Sequence, residues 1–142
     1  WADRIGPLHG AIAGQVAEID LVLYRTLAEI DVGLLERARA GAAIVARWAE
    51  LCAANFAHLA VLVDGALRAR DGDREGALAA FARAAMLAEA EGFVQHAAMA
   101  HERASQLDAS LRTKALDAYA RWGAEAKVRA LRALHAVHAA GK

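Results

Sequence analysis

Histidine, cysteine and carboxylate side chains are the groups in this sequence that could hold a metal or attack a substrate, and their spacing limits what they can do. There are six histidines. His135 and His138 stand three apart and would share one helix face, as metal-ligating pairs can. No cysteine lies on that helix, and no carboxylate lies three or four positions from either histidine. His101-Glu102 opens like the zinc-protease pattern HExxH, but Arg103-Ala104-Ser105 follows and the second histidine is missing. His58 comes after Asn55-Phe56 beside an apolar stripe, where a packed, hydrogen-bonded imidazole is expected. Cys52 has no histidine or acid at the spacing needed to activate a thiolate. Asp71 and Asp73 flank a turn, where helix capping accounts for both. Gly72 and Gly76 lack the Lys-Ser/Thr pair and preceding strand of a phosphate loop. These spacings predict no enzyme, no metal and no cofactor.

The elements that would carry these residues follow from composition. The chain has 142 residues, 40 of them alanine, with one proline and only four serines and threonines. Strands need β-branched residues and turns, so a sandwich or barrel is excluded. High apolar content with zero net charge excludes disorder. An all-α fold remains, with small side chains letting helix backbones approach closely. Balanced charge gives no net attraction to nucleic acid. A local basic bias at Arg121, Lys127, Arg129, Arg132 and Lys142 reads as a solvated helix face. No run of eighteen apolar residues predicts a membrane span. The lone Cys52 suits a reducing compartment, which points to the cytoplasm. The start at Trp1, without an initiator Met or signal pattern, reads as a piece of a longer chain.

Residues 1–14, with Gly6-Pro7, Gly10 and Gly14, read as an irregular lead-in, and residues 15–142 as one helical domain. Apolar residues stepping by three and four predict helices over about 15–30, 34–51, 55–70, 74–91, 94–107, 111–122 and 124–140. Asn55 is the expected cap of the third of these. Asp71-Gly72-Asp73 is the clearest turn, with Gly stopping one helix and Asp capping the next. Short turns make neighbouring helices antiparallel hairpins.

Ala77, Phe81 and Ala84 recur 38 residues later as Ala115, Tyr119 and Trp122. A small residue followed four positions on by an aromatic marks the second helix of a tetratricopeptide-type hairpin. Gly65 supplies the matching small residue in the first helix, whereas Arg103 at the equivalent place does not fit. The expected architecture is therefore a degenerate tetratricopeptide-like stack of about six to seven helices. The first helix of each hairpin would line a concave groove at Leu59, Leu62, Ala66 and Ala69, then Ala97, Ala100, Ala104 and Leu107. Without Lys, Arg or Asn at these positions, a clamp for a peptide carboxylate is not expected. An open apolar groove invites aggregation. Another helix of the same chain, from residues 15–51 or the C-terminal helix, is expected to fill it. A homo-oligomer contact and an exposed partner site are the alternatives. Trp48 and Trp122 are read as core, and Trp122→Ala is expected to cost roughly 3–5 kcal/mol, the range for a buried aromatic.

Several stretches carry a resemblance: Arg47-Trp48-Ala49-Glu50, Asn55-Phe56-Ala57-His58, Ala90-Glu91-Gly92-Phe93, and Tyr119 to Ala124 with Lys127, Val128 and Leu131. From about Gln15 to Leu134 the chain resembles the helical-repeat segment of large bacterial hybrid signalling proteins. Those proteins join a serine/threonine kinase-like domain and an AAA-type ATPase to a GAF domain and a histidine kinase. The resemblance implies a non-catalytic scaffold that contacts other domains of its parent chain or a protein partner, and it transfers no catalytic residue. The chain departs from that family between Glu102 and Asp117, where the family has a longer, aromatic-containing helix and turn. Two other classes are carried alongside. One is the repeat arm of an ATPase-type transcriptional regulator, its basic C-terminus near a DNA-binding module. The other is a small helical ligand or cofactor binder using His135, His138 or Cys52.

Overall fold

The computed structural model describes the backbone of residues 16–140, with side chains to Leu134. The lead-in expected over residues 1–14 lies outside the described residues. Seven α-helices follow one another: α1 (Val16–Asp31), α2 (Leu35–Leu51), α3 (Ala53–Arg70), α4 (Arg74–Ala90), α5 (Val94–Leu107), α6 (Arg112–Trp122) and α7 (Glu125–Ala140). A 3₁₀ turn, Ala109–Leu111, precedes α6. The described residues contain no strand, and none of their helices is long and apolar enough to cross a membrane.

The helix ends have local causes. Asp73 caps α4, its carboxylate accepting from the Gly76 N–H at 2.9 Å. Gly72 and Gly123 end α3 and α6 with φ of 86° and 80°, a region that costs an L-residue but not glycine. Asn55 is not a cap. Helix α3 starts earlier, at Ala53, because a single extended residue, Cys52 (φ −151°), is enough to break the chain between α2 and α3. Asn55 then sits in the first turn, its N–H bonded to the Cys52 carbonyl at 3.2 Å. Trp48 and Phe56 pack across that break with ring centroids 5.7 Å apart.

Each helix packs on its neighbour in sequence, and two further contacts skip one helix: α1 with α3, and α3 with α5. Helices α1, α3 and α5 therefore line up, with α3 in the middle. The main core joins Leu23, Leu27 and Ile30 of α1 to Leu59, Leu62 and Val63 of α3 and Phe81 of α4. Burying each such side chain contributes about 1.5–3 kcal/mol relative to exposure. A smaller core closes the C-terminal end through Ala98, Ala118, Tyr119, Val128 and Leu131.

Alanine excess is used where helices cross. Ala77, Ala84, Ala85 and Ala88 of α4 are all buried. At Gly65 the helices come closer still, since a Cβ there would lie 2.8 Å from the Phe81 ring.

Candidate functional site

The apolar groove expected from the sequence is not open. Leu59, Leu62, Ala66, Ala97, Ala100 and Ala104 are buried, while Ala69 and Leu107 are half-buried against the same core. Over α3 the physical reason is α1, which packs on it and carries Leu23, Leu27 and Ile30 into the core that Ala100 and Ala104 of α5 also join.

Among the described residues, a cleft of about 750 Å³ opens where α1, α5 and the α6–α7 turn converge. Helix α1 brings Tyr24 and Asp31 to it, and α5 brings Met99, Glu102 and Arg103. Tyr119 and Trp122 come from α6, with Lys127 from α7. Four charged groups of the cleft are bound within it, while Glu125, also on its wall, faces Arg129 outside at 3.7 Å. The Tyr119 hydroxyl donates to Glu102 Oε2 at 2.6 Å, and Lys127 Nζ reaches Oε1 of the same carboxylate at 2.8 Å. Lys127 also stands 5.6 Å from the Tyr119 ring centroid, within cation–π range. Arg103 grips Asp31 with two parallel hydrogen bonds of 3.0 and 2.9 Å, tying α5 to α1. Burial, then the bond to Glu102, pushes the Tyr119 hydroxyl well above the usual phenol range.

Trp122 corrects an expectation. Its side chain is not core but 45% exposed, facing the cleft with its ring centroid 6.1 Å from that of Tyr119. A helix ending at Gly123 places it at the rim, beyond the small C-terminal core. Tyr24 is similarly open, at 47%.

The histidines fall in separate places. His58 is buried and hydrogen-bonded, with His96 as its partner: Nε2 and Nδ1 are 2.9 Å apart. His101 lies 3.7 Å from Glu89 on α4, and Tyr119 and Lys127 occupy neighbouring Glu102. Cys52 is half-buried between α2 and α3. The side chains of His135 and His138 lie outside the described residues. Among the described residues no three His, Cys, Asp or Glu side chains form a metal-holding group. Three residues of the basic C-terminal stretch face acids: Arg121 with Glu89 at 2.9 Å, Lys127 with Glu102, and Arg129 with Glu125 at 3.7 Å.

Sequence reasoning misses His96, Tyr24 and the Arg103–Asp31 link. The histidine pair carries a legible signal, because its 38-residue separation equals the spacing of Ala77 and Ala115. The other two carry none, since they depend on how far α1 leans over α3. No known protein family, characterised protein or solved structure matches this chain.

Proposed function

We propose that this chain is a non-catalytic helical-repeat interaction module, tetratricopeptide-like in its stacking, that serves as a scaffold in a bacterial signalling protein. The observation that carries the reading is the cleft between α1, α5 and the α6–α7 turn. Glu102, Lys127, Asp31 and Arg103 are paired within it, yet Tyr24 and Trp122 stand about half exposed there. Half-exposed aromatics offer large contact area at low entropic cost, which suits recognition of a protein segment. The tight Gly65–Phe81 crossing and the contacts between alternate helices support the repeat stacking. The partner is another domain of the parent chain or a separate protein. The acids facing Arg121, Lys127 and Arg129 weigh against the transcription-regulator arm, because they offset the charge a phosphate backbone would need.

Selection of a displayed peptide library tests the reading. Peptides that bind the intact chain and lose binding with Trp122→Ala and with Tyr24→Ala, both variants keeping wild-type melting, are the expected result. No enrichment, or binding indifferent to both substitutions, overturns it. The coding sequence on either side separates the scaffold from the regulator arm: a kinase or GAF domain is expected, and a helix-turn-helix overturns the signalling assignment.

A further inference from the structure

We infer that the His58–His96 pair is an acid-sensitive latch, holding α5 on α3 while both rings are neutral and releasing α5 when the pair takes up protons. The pair sits where these two helices meet, with His58 1% and His96 6% exposed. Phe93, just before α5, stacks on His58 with ring centroids 4.5 Å apart, closing that side with an apolar face. His58 Nδ1 is buried with no hydrogen-bond partner.

Proton placement follows from this geometry. In the neutral pair, His58 donates from Nε2 to His96 Nδ1, and the unpartnered His58 Nδ1 carries only a lone pair. A first added proton leaves two ways to keep the bond. Either His58 is doubly protonated, or His96 donates and His58 accepts at Nε2. Both put an N–H on His58 Nδ1, which faces no acceptor. A buried donor without a partner is destabilising, and more so when charged. A second proton puts hydrogens on both facing nitrogens and abolishes the bond.

The surrounding charges do not rescue the protonated form of His58. Burial, then the neighbouring His96, pushes the His58 imidazole down to about 4. Burial also lowers His96, opposed by Asp20 of α1. Among the described residues no charged group on α2, α4 or α6 is among those acting on either ring. Because the closed form holds its protons less tightly than the open form, closure is complete above the ordinary histidine value near 6.5 and weakens as pH falls toward 4. Met99 and Arg103 lie three and seven residues beyond His96 on α5, so release would disturb the Asp31–Arg103 link as well. The latch stands on the helix packing and does not depend on what the cleft binds.

The test is amide hydrogen exchange along the whole chain, with NMR titration of the imidazoles, from pH 8 to 4.5. His58 alone predicts a loss of α5 protection on the order of 50–100-fold at pH 4.5, after correction for intrinsic exchange. The loss should be confined to α5 and its contacts and be absent in the double variant His58→Leu/His96→Leu. Should that variant fail to fold at pH 7, the wild-type titration decides alone. Rings that titrate near 6.5 with α5 protection unchanged overturn the latch, as does an equal loss of protection across α1 to α6.

Discussion

At the α3–α4 crossing Gly65 leaves room for the Phe81 ring, whereas the corresponding residues of α5 and α6, 38 positions later, are Arg103 and Tyr119. The first crossing is dry: Phe81 is fully buried and belongs to the main core with Ala77 and Ala84. The second carries a long cation where the first has no side chain at all. Arg103 leaves the crossing and reaches across to Asp31 on α1. Tyr119 keeps its ring in the small C-terminal core but turns its hydroxyl to Glu102, where Lys127 also binds. The α3–α4 contact is thus close and apolar, and the α5–α6 contact is polar and borders the cleft. The open surface lies where the small-residue rule fails.

The contrast is broken most severely at Phe81. Phe81→Ala removes a buried ring from beneath a glycine that cannot fill the space, and a loss of about 3–5 kcal/mol is expected in urea unfolding. A loss below about 1 kcal/mol would mean the crossing relaxes and is not tight. Gly65→Ala probes the same contact from the other side. Helix propensity favours alanine by about 1 kcal/mol. The added methyl, however, meets the Phe81 ring at 2.8 Å, and overpacking of this kind costs about 1–3 kcal/mol. Net destabilisation by thermal melting is expected, and a stabilised variant would show that Phe81 has room to move.

Much of this architecture is legible in the sequence, for physical reasons. Helix ends depend on local chemistry, so Asp73, Gly72 and Gly123 announce them. The α3–α4 crossing is legible because Gly65, Ala77, Phe81 and Ala84 all lie within one hairpin. The cleft is not legible, because its walls come from α1, α5, α6 and α7, far apart in the chain. Trp122 misleads for a related reason. Its spacing repeats that of Ala84, but α6 is short and ends beside Gly123, so the ring emerges at an edge. The groove positions are correctly apolar, yet sequence alone does not say which helix covers them.

Tyr119→Phe tests the polar crossing by removing one oxygen while preserving the ring. A loss of roughly 1.5 kcal/mol is expected, the low end for a bond to a charged acceptor, since Glu102 keeps Lys127. The hydroxyl also predicts alkaline behaviour. Its folded value is raised, so the unfolded chain ionises first. The stability it contributes is complete below the ordinary tyrosine value near 10 and is lost as pH rises beyond it. Tyrosinate absorbance checks this. Tyr24 is raised as well, by burial and then Asp20, so both tyrosines ionise later than a free phenol while the chain is folded. Half ionisation of both tyrosines in the folded chain at pH 10 would contradict the bond to Glu102.

Arg103→Ala carries the smallest expected effect and makes the sharpest comparison with Gly65→Ala, because both place alanine at positions 38 residues apart. Asp31 is more than half exposed, so the lost pair costs under about 1 kcal/mol. Alanine also supplies a small residue here, as Gly65 does 38 positions earlier. The two variants should therefore diverge in kind as well as in size: Gly65→Ala lowers stability without altering the cleft, and Arg103→Ala leaves stability nearly intact while freeing α1 from α5. Amide exchange reads the second effect directly, as a gain in exchange near Asp31 at the end of α1. Unchanged exchange there would mean that core contacts of Leu27 and Ile30 alone hold α1 over α3, and that the Arg103–Asp31 pair adds only a surface contact.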